Sequence, residues 1–590
     1  MTSTAVLVAY QQRVEQLRSA LTGLAAKQSV TLAVLCVALL AGAVFSVAAL
    51  SRRAVPLWFP LLSLPVVFVS AWTYRRRRFE RLDLTRLRDL YGRGIDRVQD
   101  RWVGAGVSGD EFFAARHPYA ADLNLFGAGS LFERLCTART QLGQQALARY
   151  LQEPVSLDES QQRQAAVREL AANTGLREKI ALLGRNEFHE SQWQTFTDWL
   201  GSPPVGLPMW LRPALMTSSV LLAGLAITLA LMPSWWPALR QAIVPLVALQ
   251  AAIGYSLQAQ VRRVIRAAAP IVSEFALIQE GLALMAAQAH QAPKIARLSK
   301  VAAPASRTIR QLQPWFAVLR ERMKDWYYLP ALGLLLGTQS ALAIEAWRLR
   351  HREDLAVWLN AWAEYEALNA LACYAYENPE DSWPELGVPG FAAEDLGHPL
   401  LLAAACVRND VALGECRFYV VSGSNMAGKS TLLRSVGLAA VLAYAGAPVR
   451  ARSLRLAVLR VCASISIVDS LREGKSRFLA EMERLRDTLE TAAQHPTLFL
   501  IDEIFSGTNS PDRKAAADAV VRTLAERGAI GAISTHDISL ADIAVHGGAN
   551  VHMASREGGD GPLDFDYRLK PGVTRESNAL AIARLAGVPV

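Results

Sequence analysis

The sequence predicts an α/β domain with a doubly wound sheet at the C-terminal end of the chain, joined to an all-helical region and to transmembrane helices. Three observations predict this architecture. Apolar strand-like runs ending in polar residues recur between positions 417 and 537, and a glycine-rich loop follows the first of them. The earlier part of the chain has helical apolar periodicity. It also contains four uncharged apolar runs of about the length that a bilayer requires.

The glycine-rich loop has the pattern Gly-x-x-x-x-Gly-Lys-Ser, which is typical of a P-loop. A predicted strand over 417–422 precedes it, and a predicted helix over 432–444 follows. The glycines let backbone N–H groups turn toward phosphates, Lys429 neutralises the outer phosphates, and Ser430 offers a hydroxyl to Mg²⁺. We therefore expect ATP to bind at the loop residues Gly423, Ser424, Asn425, Met426, Ala427, Gly428, Lys429, Ser430 and Thr431.

A second apolar strand, over 498–501, ends in two acids about seventy residues after the P-loop, an arrangement typical of a Walker B motif. We expect Asp502 to hold Mg²⁺ together with Ser430, and Glu503 to orient or deprotonate the attacking water. A third strand ends at His536, which is placed to sense the γ-phosphate. The predicted catalytic residues of this ATP hydrolase are therefore Glu503, His536 and Lys429.

The segment 474–482 lies between the first two motifs. Its small polar start and amphipathic continuation predict a helix N-terminus, which can bind an anion. Because this segment is far in sequence from the P-loop, we expect a second subunit to supply Ser476 to the nucleotide. An ordinary capped helix is the alternative that the residue pattern leaves open.

Together these motifs resemble those of the MutS family of DNA mismatch-repair ATPases. The run 424–431, Ser-Asn-Met-Ala-Gly-Lys-Ser-Thr, is similar to that family's Pro-Asn-Met-Gly-Gly-Lys-Ser-Thr loop. Further similar segments are 474–482, 502–508, 534–536 and 577–589. The resemblance implies an ABC/MutS-type P-loop NTPase domain over 391–590, a homodimer formed through the ATPase domains, ATP and Mg²⁺ as cofactors, and double-stranded DNA as a partner.

A less specific resemblance to the start of the MutS core and lever region is found at 121–126 and 141–154. It implies a helical core and lever domain over 118–390, preceded by a charged helical linker at 81–117. No segment before His117 resembles the mismatch-recognition domain of the family. We therefore expect DNA binding without mismatch specificity.

The composition points to membrane segments. Hydrophobic residues make up 52% of the 590 residues, and the mean hydropathy is +0.17, which is high for a soluble enzyme of this size. The net charge of +9 suits an anionic partner, and either a nucleic acid or an anionic bilayer surface satisfies it. The six cysteines have no paired spacing, so we expect neither a zinc site nor a disulfide framework.

Two membrane hairpins are predicted. The first, within residues 1–80, has spans at 31–50 and 55–73, and the second has spans at 214–232 and 241–257. Four arginines at 75–78 end the second span, and by the positive-inside rule they lie in the cytoplasm. We therefore expect a multi-pass membrane protein with a cytoplasmic ATPase domain. Buried core helices are the alternative for both hairpins.

Three classes of function are compatible with these features. The first, which we favour, is a membrane-anchored MutS-like ATPase that binds MgATP and DNA and is related to mismatch repair. The second is a nucleotide-gated membrane scaffold that does not bind DNA. The third is an ABC-type transporter, against which stand the small number of predicted spans and the lack of a Leu-Ser-Gly-Gly-Gln signature before the second acidic strand.

Overall fold

The computed structural model describes residues 2–51, 56, 59–114, 116–184, 199, 201–208, 210–268, 272–321, 333–424, 426–465, 477–505, 510–554 and 565–574. The chain forms two compact units. We call one the sheet unit, which contains Met1–Thr137, Ala148–Leu182 and Asn369–Val590, and the other the helical unit, which contains Ala138–Leu147 and Leu183–Leu368. This division cuts across the predicted core and lever domain of 118–390, parts of which belong to each unit.

A six-stranded sheet forms the centre of the sheet unit, in the order β10-β9-β4-β8-β7-β6. Its strands are β4 (Phe418–Gly423), β6 (Arg460–Ser464), β7 (Thr497–Ile501), β8 (Ile530–Thr535), β9 (Gly548–Met553) and β10 (Lys570–Pro571). All neighbours are parallel except β9 and β10. Parallel strands need crossover connections, and helices Lys429–Ala445, Arg477–Gln494 and Ser510–Glu526 lie between them in sequence. The predicted α/β architecture is therefore present, with the helix after the P-loop starting three residues earlier than expected.

Apolar packing holds this sheet to its helices. Every residue of β7 is buried, as expected for a parallel strand covered on both faces. The rings of Phe418 and Phe499 lie 6.2 Å apart in a core that includes Val521 and Ile533. Burying one such side chain contributes about 2 kcal/mol. At Gly531 an added Cβ would meet the backbone oxygen of Phe499 at 2.0 Å, so β7 and β8 can approach only because this position lacks a side chain.

A second, four-stranded sheet has the order β1-β5-β2-β3. Its strands are β1 (Glu385–Leu386), β2 (Phe391–Leu396), β3 (Asn409–Leu413) and β5 (Ser453–Leu456). β2 pairs antiparallel with both β3 and β5. The strands β2 and β3 run on either side of the loop 397–408, so this small sheet fixes the two ends of that loop.

The remaining helices surround the sheets or form the helical unit. In the sheet unit they are Ser3–Leu50, Ser63–Val98, Leu131–Leu135, Leu157–Ala171 and Thr174–Leu182. In the helical unit they are Leu211–Leu231, Trp236–Ser256, Gln258–Ala268, Val272–Ala286, Pro293–Arg310, Gln313–Glu321 and Leu336–Arg350. Helices Gln141–Gln152 and Arg352–Glu377 contribute residues to both units.

The first helix, Ser3–Leu50, combines a packed N-terminal part with an exposed apolar part. At 48 residues it is about 70 Å long. Near its start Tyr10 is buried against the ring of Tyr91, and the Arg13 guanidinium lies 2.9 Å from the Glu178 carboxylate. Further along, apolar side chains with exposed fractions of about two thirds include Val30, Val37, Leu40 and Val47. Such a surface requires a covering partner or a lipid environment.

Among the described residues, three helices are long and apolar enough to cross a membrane, namely Ser3–Ala48, Leu211–Leu231 and Trp236–Ser256. They contain or overlap the predicted spans 31–50, 214–232 and 241–257. In the second predicted hairpin, the buried Gln250 donates a hydrogen bond to Ser218 Oγ at 3.0 Å, which links the two apolar helices.

The predicted span 55–73 differs from the other three. The chain forms a 3₁₀ helix at Phe59–Leu62, and the following helix begins only at Ser63. Proline at positions 56 and 60 lacks a backbone donor and disfavours an earlier helix start. The apolar part of that helix ends before Arg75, so it is shorter than the roughly 20 residues of a full span. Residues 52–55, 57 and 58 lie outside the described part of the chain, and the span stays a prediction.

Candidate functional site

The P-loop leads from the end of β4 to the helix Lys429–Ala445. At Gly423 an added Cβ would meet the backbone oxygen of Met553 at 2.4 Å, so the loop can leave the sheet here only as glycine. Gly428 has φ +99° and forms the N-cap of the helix. A Cβ added at Gly428 would lie 3.1 Å from the Tyr567 ring. The loop therefore brings backbone N–H groups and the positive end of a helix to one place, as phosphate binding requires.

Lys429 is held over this loop. Its side chain is buried, and Nζ donates hydrogen bonds to the carbonyl oxygens of Gly423 at 2.8 Å and Ser424 at 2.9 Å. Burial lowers the pKa of the ammonium, while the carboxylates of Asp502 and Glu503 oppose that shift. A cation in this position stabilises the negative charge of a phosphate far better than an exposed lysine does.

The two acids and the histidine meet the P-loop at one edge of the sheet. The ends of β4, β7 and β8 are aligned, with Ser422 opposite Thr535 and Ile501 opposite Ile533. Asp502 follows β7 directly, and its Oδ1 accepts a hydrogen bond from Ser534 Oγ. Ligands of open α/β sheets bind at this carboxyl edge.

Glu503 has an unusual backbone conformation that is fixed by hydrogen bonds. Its φ is +51°, and its N–H donates to Ser534 O at 3.1 Å and to Ser534 Oγ at 3.2 Å. The carboxylate Oε1 lies 3.6 Å from Nδ1 of His536. A non-glycine residue in the left-handed region is uncommon, and such residues cluster at functional sites.

The segment after Glu503 is anchored by two of the crossover helices. Phe505, also left-handed at φ +55°, donates its N–H to Glu481 Oε1 at 2.6 Å. Arg513 Nε donates to Phe505 O at 3.1 Å, and its Nη1 lies 3.6 Å from Oδ2 of Asp537, the residue after His536. These contacts fix the turn that carries Asp502 and Glu503 relative to the turn that carries His536.

A cavity of about 580 Å³ lies against the P-loop, within the range for small-molecule sites. Its polar lining includes Lys429, Ser430 and Glu503. The apolar part of the wall includes Leu396, Leu401, Ala405, Val407, Leu432 and Met553. A triphosphate fits the polar part and an aromatic base fits the apolar part. The Ser430 hydroxyl and the Asp502 carboxylate are oxygen ligands of the kind that Mg²⁺ prefers.

His398 and Tyr567 also line the cavity. His398 is buried, its Nδ1 accepts a hydrogen bond from Leu400 N at 3.2 Å, and burial lowers its pKa to about 4, so the ring is neutral at pH 7. Tyr567 is kept at the wall by Asn409, whose Nδ2 donates to Tyr567 O at 3.0 Å. Sequence reasoning missed Tyr567, because a single tyrosine thirty-one residues after His536 carries no pattern of its own.

The structure brings most of the predicted site residues to this one sheet edge. Gly423, Ser424, Met426, Ala427, Gly428, Lys429, Ser430 and Thr431 form the P-loop and the first turn of its helix, and Asp502, Glu503 and His536 follow the neighbouring strands. Asn425 and Ser476 lie outside the described residues, as do the similar segments 506–508 and 577–589.

Residues 419–590 match the family model of MutS domain V. The matched segment starts in β4 and includes the P-loop, both acids and His536. This segment is therefore similar to the ATPase domain of MutS proteins, which is of the P-loop type. Domains of this family generally use ATP and Mg²⁺, in agreement with the chemistry of the cavity.

Proposed function

We propose that this protein is a membrane-anchored MutS-like ATPase that binds and hydrolyses MgATP and acts on double-stranded DNA without mismatch specificity. One observation carries the proposal: Lys429, Ser430 and Glu503 line the same cavity at the carboxyl edge of the sheet. Any one of these residues alone has an ordinary structural explanation. Their convergence beside a loop that tolerates only glycine at position 423 is what phosphoryl transfer requires.

Each residue has a defined task in this proposal. Lys429 exchanges its hydrogen bonds to the loop carbonyls for the outer phosphates and neutralises their charge. Ser430 and Asp502 would hold Mg²⁺, which would neutralise negative charge on the phosphates when bound. Glu503 orients the attacking water and accepts its proton. His536, which lies beside the Glu503 carboxylate, senses the γ-phosphate.

Membrane anchoring is supported by exposed apolar helices. Three helices reach spanning length, and the outer surfaces of Ser3–Ala48 and Leu211–Leu231 carry exposed side chains such as Val47 and Leu231. The arginines at 75–78 lie directly after the apolar start of helix Ser63–Val98. By the positive-inside rule these arginines, and with them the ATPase domain, face the cytoplasm.

DNA binding and dimerisation rest on charge and on family membership. The net charge of +9 favours a polyanion, and MutS family members generally form dimers that bind DNA. A homodimer would give each nucleotide site a Ser476 from the partner subunit. The alternative is a nucleotide-gated membrane scaffold, which the exposed apolar helices and the basic run at 75–78 favour; an ABC-type transporter has less support.

Nucleotide binding by variants of the full-length protein in detergent tests the proposal. Lys429→Ala should abolish measurable MgATP binding in a titration, because the phosphates lose their buried cation. The control is Lys514→Ala, which removes a half-exposed lysine that pairs with Asp542 on the surface. Wild-type affinity in the Lys429→Ala variant would rule out the P-loop as the nucleotide site.

A further inference from the structure

The helix Ser63–Val98 ends next to the wall of the nucleotide cavity. Its last turn closes at Asp100, which has φ +55°, while Arg101 N donates to Asp96 O at 2.7 Å. The left-handed position after a helix is usually occupied by glycine or asparagine, because a Cβ is disfavoured there. Aspartate is also tolerated in this position, and here its side chain makes specific contacts with the sheet unit.

The Asp100 carboxylate contacts two groups of the sheet unit. Oδ2 accepts a hydrogen bond from the backbone N–H of Ala403 at 3.2 Å, and Oδ1 lies 3.5 Å from Nη1 of Arg134. The Asp100 side chain is 14% exposed and that of Arg134 is 4% exposed. The ion pair is therefore shielded from water and its geometry is fixed.

Arg134 also contacts the loop 397–408, which contains Ala403. Its Nη1 donates to the carbonyl oxygen of Pro399, and its Nη2 donates to Asn378 Oδ1 at 3.4 Å. The guanidinium carbon lies 5.6 Å from the ring of Trp102 and 6.0 Å from the ring of Tyr374. These contacts restrict the arginine to one orientation, so Asp100 and Arg134 act on the loop as a single rigid clamp.

The clamped loop forms part of the cavity wall. Leu401 and Ala405 line the cavity, and both are exposed. Three polar contacts hold the backbone of the loop: Ala403 N binds Asp100, Pro399 O binds Arg134, and Leu401 O accepts from Arg450 Nη1 at 2.8 Å. Because the P-loop binds the phosphates, we expect this part of the cavity wall to contact the nucleoside.

We propose that Asp100 is a positioning residue of the nucleotide site, which sets the loop 399–405 against the nucleoside of a bound adenine nucleotide. The inference rests on the proposed function. Asp100 is also placed for regulation, because it lies two residues after the end of helix Ser63–Val98, which packs along Ser3–Leu50, the helix with the long exposed apolar surface. The Arg97 guanidinium, 2.7 Å from the buried Glu377 carboxylate, ties the same helix end to the sheet unit.

Coupling between the nucleotide site and the N-terminal helices must be reciprocal. A change in the N-terminal helices that moves Asp100 changes the nucleotide affinity, and nucleotide binding changes the stability of that helix arrangement by the same free energy. The amino-acid contacts that transmit the change are the Asp100–Ala403 hydrogen bond and the Asp100–Arg134 ion pair.

Two substitutions of Asp100 separate its positioning role from its backbone role. Asp100→Gly removes the carboxylate and suits the left-handed backbone, so any fall of the thermal unfolding midpoint reports the loss of the contacts with Arg134 and Ala403 and not backbone strain. Asp100→Asn keeps an acceptor for Ala403 N and also tolerates this conformation, but it loses the charge that faces Arg134. Asp96→Ala is the matched control, because Asp96 is a nearby acid that pairs with Arg101 on the surface.

The full-length variants are compared in detergent for MgATP affinity, KM and kcat. Asp100→Gly should weaken binding and raise KM by about fivefold or more with kcat nearly unchanged, Asp100→Asn should lie between it and the wild type, and Asp96→Ala should match the wild type. Equal MgATP affinity in the wild type and Asp100→Gly, or a fall in kcat with unchanged KM, would overturn the positioning role alone. A wild-type protein that binds no MgATP would overturn the proposed function and this inference with it.

Discussion

His536 Nδ1 lies 3.6 Å from Glu503 Oε1, and this contact joins the ends of two neighbouring strands. Glu503 is already held in a left-handed conformation by two bonds from its N–H to Ser534, the residue two before His536. A shift of the histidine turn therefore changes the position of the carboxylate. In the proposed ATPase the two residues share a role, in which the position of His536 sets when the Glu503 carboxylate is aligned for catalysis.

The buried His398 predicts an acid-sensitive stability. Its pKa is about 4 in the folded protein and near 6.5 in an unfolded chain, so the unfolded state takes up the proton first as the pH falls. The contribution of the neutral His398 to the free energy of unfolding is therefore present above about pH 6.5 and is lost toward pH 4. Its upper bound is about 3 kcal/mol. His398→Asn, which can still accept from Leu400 N, should show a smaller fall of the thermal unfolding midpoint between pH 7 and pH 5.

The control for that experiment is His495→Asn, which replaces an exposed histidine and should follow the wild-type pH dependence. If the His398→Asn and wild-type midpoints fall equally with pH, the neutral histidine makes no contribution to the acid sensitivity.

A homodimer with composite sites predicts complementation between two inactive variants. Lys429→Ala removes the P-loop cation, and Ser476→Ala removes the group expected to reach the partner's nucleotide. In a heterodimer of the two variants, one site keeps both groups, so ATP hydrolysis should partly recover on mixing. Purified heterodimers, verified by two different affinity tags, give the measurement. Complete inactivity in such heterodimers would mean that each chain works alone.

If DNA is the partner, binding should depend steeply on salt and hardly at all on mismatches. Phosphate contacts release counterions, so affinity should fall strongly between 50 and 200 mM salt, as for other phosphate-binding proteins. A G·T heteroduplex and its matched parent are compared by filter binding, with and without ATP. A mismatch preference above about tenfold, or roughly 1.4 kcal/mol, would contradict binding by phosphate contacts alone. No duplex binding at low salt would favour the membrane scaffold.

The sequence predicts the central strands and the P-loop well, because their signals are local. The predicted strand 417–422 and helix 432–444 match Phe418–Gly423 and Lys429–Ala445 within a few residues, since a buried apolar run and a glycine-lysine turn fix both elements. The first apolar run, 31–50, was likewise found within a helix, although that helix begins at Ser3, because the preceding polar residues are also good helix formers.

Other parts of the site depend on contacts between distant residues and carry no local pattern. Tyr567 is held at the cavity by a hydrogen bond from the Asn409 side chain, and the clamp on the loop 399–405 comes from Asp100 and Arg134, more than 250 residues earlier in the chain. The division into two units also follows from packing: the segment 148–182 belongs to the predicted core and lever domain of 118–390 but packs in the sheet unit. Periodicity cannot reveal such long-range partners.

The most direct test of the account is ATP turnover by Glu503→Gln. The variant keeps the P-loop, Lys429 and the cavity, so MgATP should bind with near wild-type affinity. The amide cannot accept the proton of the attacking water, so steady-state hydrolysis should fall by about 100-fold or more. The matched control Glu526→Gln replaces an exposed glutamate at the end of helix Ser510–Glu526 and should hydrolyse ATP at the wild-type rate. Wild-type turnover by Glu503→Gln would contradict the assignment of this cavity as an ATP-hydrolysing site.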